Sequence, residues 1–174
     1  MKLNKMNNKV KGFTLVELIV VIAIIGVLAA ILVPSMMGYV QKAKLNSANS
    51  NADSVFKAAA NACTELEVEG KVVNGTINSA SSSNANDEFK TKVKAALSFK
   101  SSAIWSVKVD NGQPKAAAYA ESATDKYVGA NPTQVTMDDI NGKNGKTAIG
   151  VGTAGLAKAL EIGESKTTSS SNAG

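Results

Sequence analysis

The chain has 174 residues, with 19 basic against 14 acidic side chains and a formal net charge of +5, enough for one modest domain beside a membrane segment. It contains no His and every basic residue is Lys, so the commonest metal ligand, the commonest neutral-pH acid/base group and the usual bidentate reader of guanine are absent. These absences argue against imidazole catalysis, a His-built metal centre and specific nucleic-acid recognition, and an aromatic content of 5% leaves any core to small side chains.

The positive charge is concentrated at the start. Lys2, Lys5, Lys9 and Lys11 precede the first apolar run with no acid among them, while beyond residue 12 the remaining 15 Lys face 14 acids, a net of +1. The basic bias therefore belongs to a leader, residues 1–12, where it reads as a topology signal. Lys-rich flanks stay cytoplasmic, which places everything after the apolar run outside.

Phe13–Val33 follows as 21 residues, about 31 Å as a helix, matching a hydrocarbon core of about 30 Å. A secretory leader has a shorter apolar stretch, of about 7 to 15 residues, ending in a small-x-small cleavage site. Lipoprotein processing needs a Cys at the end of the run, and the single cysteine, Cys63, lies 30 residues too late. Within the run stands one acid, Glu17. A carboxylate at the bilayer centre costs about 2.5 to 3.5 kcal/mol on insertion scales, and such residues are functional by default. Glu17 lies only about 6 Å along the axis from Phe13, so it can reach the cytoplasmic interface. Complementing the positive end of the helix dipole explains why it is tolerated there, though not the rest of its setting.

That setting is K-G-F-T-L-V-E-L: basic residues, Gly12, an aromatic residue, and an acid five places after the glycine. It closely resembles the signature of the type IV pilins, and the following LIVVIAIIGVLAAILVP is similar to theirs. The resemblance covers roughly residues 9 to 45. It implies that a prepilin peptidase cuts after Gly12 and N-methylates the new first residue, Phe13. It makes Glu17 the fifth mature residue, and Gly26 and Pro34 the helix-weakening positions. Cleavage creates a cationic amine on Phe13, strongly penalised if left unpaired in an apolar filament core. Glu17 can neutralise either its own amine, one helical turn away, or that of a neighbouring subunit.

Pro34 lacks a backbone donor and should kink a helix that otherwise continues. Leu45, Ala48, Ala52, Val55, Ala59, Ala62 and Leu66 then recur at alternating spacings of three and four, one helical stripe with Phe56 and Cys63 at its edge. Ala is poor coiled-coil material, so the stripe is expected against the chain's own sheet. Cys63 reads as a small buried apolar group. With Gly70 as the stop, the helix is expected from Phe13 to Glu69, roughly 85 Å long.

Residues 74–87 (NGTINSASSSNAND) read as a polar surface loop. Phe89, Val93, Ala96 and Leu97 mark a short amphipathic helix. Ile104–Val109 alternates as a strand, Asp110-Asn111-Gly112-Gln113 is its turn, Ala116–Glu121 the return strand, and Gln134–Met137 a further one. Leu156, Ala159 and Leu160 give Val151–Ile162 helical spacing. The tail from residue 165 (SKTTSSSNAG) has a disordered composition. Asp138-Asp139-Ile140-Asn141-Gly142 lacks the spacing and closing Glu of a calcium loop and reads as a solvated turn. G-V-G-T-A-G at residues 150–155 is G-x-G-x-x-G by letter but follows no βαβ unit.

The fold class is therefore α+β: a long kinked N-terminal helix, its first half transmembrane, on a small antiparallel sheet, as in pilins. The division is 1–12 cleaved leader, 13–33 transmembrane and filament-core helix, 34–69 amphipathic half, 70–164 extracellular αβ-loop, sheet and C-terminal region, and 165–174 tail. The resemblance implies a structural subunit, like a major pilin of the disulfide-free Gram-positive kind. Such a subunit polymerises into type IV pili that support adhesion, aggregation and twitching motility. Its implied partners are further copies of itself, the peptidase/methyltransferase, the assembly platform and motor ATPases, the membrane before assembly, and host or cell surfaces. No cofactor and no metal site is expected. A pseudopilin of a type II secretion or DNA-uptake machine shares the N-terminal signature. A mature length of about 162 residues and the polar distal loop favour the pilin. An anchored enzyme is disfavoured, because no nucleophile, metal set or acid/base pair is recognisable.

Overall fold

The computed structural model of the chain describes residues 12–81, 86–143 and 147–165. The expected leader up to Lys11 and the expected tail beyond Ser165 lie outside the described residues. The chain divides into two units, Met1–Val40 and Gln41–Gly174. Helix α1, Leu15–Val68, has 54 residues and ends within two residues of each expected boundary. Its stop is a Schellman motif: Gly70 takes a left-handed φ of 76°, its N–H donates to Glu67 O at 2.9 Å, and Lys71 N–H donates to Leu66 O at 2.9 Å. Every member of the Leu45–Leu66 stripe is buried, together with Asn49, Ala58 and Cys63.

In the second unit the remaining elements follow as β1 (Gly75–Asn78), α2 (Asp87–Ala95), β2 (Ile104–Asp110), β3 (Gln113–Ala120), β4 (Val128–Asn131), α3 (Met137–Asn141) and α4 (Gly152–Glu164). The four strands pair in the order β1-β2-β3-β4, antiparallel at every step. Asn111 and Gly112, with φ of 49° and 72°, form the two-residue turn between β2 and β3, which needs positive φ at both central positions. One apolar cluster joins Trp105, Val107, Val109, Ala117 and Tyr119 to α1 and to Phe89 and Val93 of α2. The other joins Ala116, Ala118, Ala120, Val128 and Ala130 to Ile140 of α3 and to Leu156, Ala159 and Leu160 of α4. The sheet is thus covered on both faces, which is why the buried part of β3, Ala116–Ala120, is four Ala and one Tyr: a strand buried on both sides has no polar register.

Four expectations need correction. The polar stretch 74–87 contains an edge strand, β1, whose Ile77 is 3% exposed and pairs opposite Val107. The return strand begins at Gln113 and ends at Ala120, earlier at both ends than Ala116–Glu121. Gln134–Met137 is not a strand: the fourth strand is Val128–Asn131, and the backbone of Val135 is held by a side chain instead. Asp138-Asp139 is no solvated turn. Thr136 caps α3, its hydroxyl and N–H both donating to Asp139, which is buried at 4% exposure.

Gly129, Gly155 and the buried Asn49 set close contacts in this unit. A Cβ at Gly129 would overlap the backbone of Ala48 and Asn49, so β4 lies against α1 with no side chain between them. Within the G-x-G-x-x-G stretch, Gly155 packs on the Gly150 carbonyl, where a Cβ would again overlap backbone. That motif serves helix packing. Asn49, buried at 4% exposure, ties the same seam. Its Oδ1 accepts from Ala130 N–H and Val135 N–H, both at 3.1 Å, and its Nδ2 donates to Val135 O at 2.9 Å.

Candidate functional site

The residues singled out at the N-terminus fall in the first unit. Gly12, Phe13 and Thr14 precede the helix in extended or irregular backbone, and Leu15 starts it. Gly12 is exposed, and a Cβ placed on it would meet nothing within 4 Å. The fold itself makes no demand for glycine here. Phe13 is 84% exposed, leaving the Gly12–Phe13 bond open to a second molecule.

Glu17 is folded back over the first turn. Its Oε2 accepts from Thr14 N–H at 2.8 Å and from Thr14 Oγ1–H at 2.7 Å. Glu17 N–H in turn donates to Thr14 Oγ1 at 3.2 Å. This is a capping box, Thr14 as N-cap and Glu17 three places on, which satisfies N–H groups that the first helical turn leaves open. The acid therefore enters the apolar segment with hydrogen bonds already made, which lowers the cost of carrying it. Oε1 accepts no hydrogen bond from the described residues and remains available to another donor. Thr14 was missed as a site residue, although T-x-x-E before an apolar run carries the signature.

Every large apolar side chain from Phe13 to Val40 is between 46% and 84% exposed, and the most apolar window of the helix is not buried at all. This exposed stripe continues past Val33 through Met36, Met37, Tyr39 and Val40. A Cβ placed on Gly26 would likewise meet nothing within 4 Å. Pro34 lies inside the helix, where it cannot donate to the Ala30 carbonyl, and the next hydroxyl, Ser35 Oγ, donates to Leu32 O at 2.8 Å. Gly12 and Phe13 precede the helix, Glu17 stands in its first turn, and Gly26 and Pro34 lie farther along it.

In the second unit Cys63 is 2% exposed, and burial, with Glu67 nearby, pushes its thiol from 9.0 up to about 11. No group of three or more metal-ligating side chains occurs among the described residues.

Known proteins match this sequence. Residues 7–33 match the family model described as the prokaryotic N-terminal methylation motif. A fimbrial protein of Neisseria meningitidis serogroup B is 32% identical over 148 residues, covering 72% of this chain and 86% of its own. A fimbrial protein of N. meningitidis serogroup A is 30% identical over 158 residues, covering 78% and 84%. A type IV major pilin protein of Myxococcus xanthus is 38% identical over 58 residues, 33% of this chain and 26% of its own. No solved structure matches the chain. Because the likeness runs over most of the length of fimbrial proteins, and because the first helix opens on the methylation motif, this chain belongs to the type IV pilin family and is a pilin subunit of type IV pili.

Proposed function

We propose that the chain is made as a membrane-anchored precursor, cut after Gly12 and N-methylated on Phe13 by a prepilin peptidase/methyltransferase. It then polymerises with copies of itself through an assembly platform and motor ATPases. The observation that carries this reading is the apolar segment Phe13–Val40, whose large side chains are all exposed. In the precursor the lysines of the leader hold the N-terminus in the cytoplasm and lipid covers Phe13–Val33; in the filament, neighbouring helices cover it. Exchanging lipid for protein around these side chains is nearly neutral in apolar transfer, so assembly depends on packing, polar pairs and motor work. The domain plan is then leader 1–12, membrane and core helix 13–33, amphipathic half 34–69, exposed domain 70–164 and tail 165–174.

Cleavage gives Phe13 a cationic amine beside Thr14 and Glu17. An unpaired cation in an apolar core is strongly penalised. The Glu17 carboxylate, held at one oxygen by Thr14 and open at the other, supplies the counter-charge for its own amine or a neighbour's. Pairing with a neighbour registers one subunit axially on the next. Gly26 and Pro34, which cost a helix interior about 1 and 3 kcal/mol relative to Ala, let the segment between them yield when the filament is loaded. The role is structural, not catalytic, and serves adhesion, aggregation and twitching motility at the cell surface.

The test is electron microscopy of cells labelled with antibody against the domain 70–164. Long labelled fibres are expected. Label confined to the envelope contradicts a pilus subunit and favours a secretion or DNA-uptake pseudopilin.

A further inference from the structure

Much of the exposed side of α1 in the second unit is short and uncharged, with Asn46, Ser50, Asn61 and Thr64 along it. A parallel helix could slide past such a face by whole turns with little change in packing. The charges on this stretch of α1 are Lys42, Lys44, Asp53, Lys57, Glu65, Glu67 and Glu69, and most are satisfied within the chain. Asp53 pairs with Lys57 at 2.7 Å and accepts from Asn131 Nδ2 at 3.0 Å. Glu65 and Glu69 pair with Lys92 at 3.0 and 3.2 Å, and Glu69 also pairs with Lys71 at 3.0 Å. Lys44 Nζ lies 5.9 Å from the centre of the Tyr127 ring.

Lys42 and Glu67 are left. Both are exposed, and neither makes an ion pair among the described residues. They stand 25 positions apart, which puts them within about 20° of one line along the helix and about 38 Å apart on it. A cation and an acid at opposite ends of one line cannot meet within a straight helix. They meet when a second, parallel copy is displaced by that distance. The contact is head-to-tail, so each copy keeps one charge free for the next, and it propagates into an open filament.

We infer that Lys42 of one subunit pairs with Glu67 of another displaced by about 38 Å along the filament, and that this pair sets the axial register of the folded domains. The inference rests on the reading of the chain as a polymerising subunit. An exposed pair adds little affinity, but charges across an interface fix register by penalising wrong offsets, and this pair recurs at every subunit. A Glu17 carboxylate reaching another subunit's amine spans only about 6 Å along the axis, so that contact belongs to a nearer neighbour.

The test is crosslinking in assembled filaments. Cells make Lys42→Cys/Glu67→Cys as the sole subunit in a Cys63→Ala background, so the two introduced thiols are the only ones. Sheared filaments are treated with a short bis-maleimide, denatured and separated by size. A ladder of dimers, trimers and longer species is expected, while either single-cysteine chain stays monomeric. Monomers alone from intact filaments overturn the pair and leave the pilin reading standing; absence of filaments from the unsubstituted chain overturns that reading itself. Charge reversal tests the pair without cysteines. Lys42→Glu should cut filament yield severalfold with cleaved subunit still in the membrane, and adding Glu67→Lys should restore it. Unchanged yield in Lys42→Glu, or no recovery in the double reversal, overturns the assignment.

Discussion

Replacing Asn49 by Ala tests how the long helix is locked to the domain. The side chain makes three hydrogen bonds, accepting from Ala130 N–H and Val135 N–H and donating to Val135 O. Ala130 and Val135 are 0% and 2% exposed, so water cannot readily replace the missing partner. Truncation strands two buried donors and one acceptor, each costing about 1–3 kcal/mol, and partial relaxation leaves a net loss of about 3 kcal/mol. For a domain of this size that is a fall in Tm of roughly 10 °C. Thermal unfolding of the full chain in detergent, followed by circular dichroism and by Trp105 fluorescence, measures it. Asn49→Asp should fail as well, because it keeps the acceptor but loses the donor and buries a charge. A Tm for Asn49→Ala within about 2 °C of the unsubstituted chain would refute the claim that this residue fastens β4 and the Val135 loop to α1.

Three further outcomes follow from the same geometry. At pH 8, Cys63, with its thiol raised to about 11, should react with a thiol probe about a hundredfold more slowly than an ordinary cysteine; urea should restore the ordinary rate, and fast labelling of folded protein would contradict its burial. Glu69, held down to about 2 chiefly by Lys71 and then Lys92, contributes stability that is present above about pH 4.5 and lost as pH falls toward 2. Glu69→Gln should therefore lower Tm at neutral pH, the gap closing through that window; a gap that stays constant to pH 2 would be inconsistent with the pairing. Gly12→Val should leave uncut precursor in the membrane, because a Cβ there meets nothing in the chain itself and only an external active site can reject it; mass spectrometry showing a normal methyl-phenylalanine N-terminus would disprove the cleavage position.

Much of this fold was legible in local pattern. The Leu45–Leu66 stripe named the buried face of α1, Gly70 named its stop, and Asn111-Gly112 named the hairpin, because each is set by periodicity or by the sign of φ. The edge strand β1 was hidden, since Gly75, Thr76 and Asn78 read as turn residues and only Ile77 points to a core. Strand β4 was displaced to Gln134–Met137 for a related reason. Val128-Gly129-Ala130-Asn131 has little strand propensity and becomes a strand because Gly129 lets it approach α1. Asn49 lay among several similar residues, Asn46, Ser47, Ser50 and Asn51; its spacing, four after Leu45 and three before Ala52, puts it at the edge of the buried stripe, but the backbone groups it holds are set by tertiary packing. At the N-terminus the acid was conspicuous, whereas its holder, Thr14, required attention to T-x-x-E as a cap. How these groups meet across subunits depends on other chains, which no single sequence or fold displays.

The most direct measurement of the central claim is filament formation by Glu17→Leu as the sole subunit in cells, counted by electron microscopy beside cells making the unsubstituted chain. Leucine suits the apolar segment, so insertion and cleavage should proceed, with Phe13 appearing as the mature N-terminus. Without the carboxylate the Phe13 amine has no counter-charge in the filament core, and few or no filaments should form. Filaments of normal number and length built from Glu17→Leu alone would contradict the assignment of this acid to assembly.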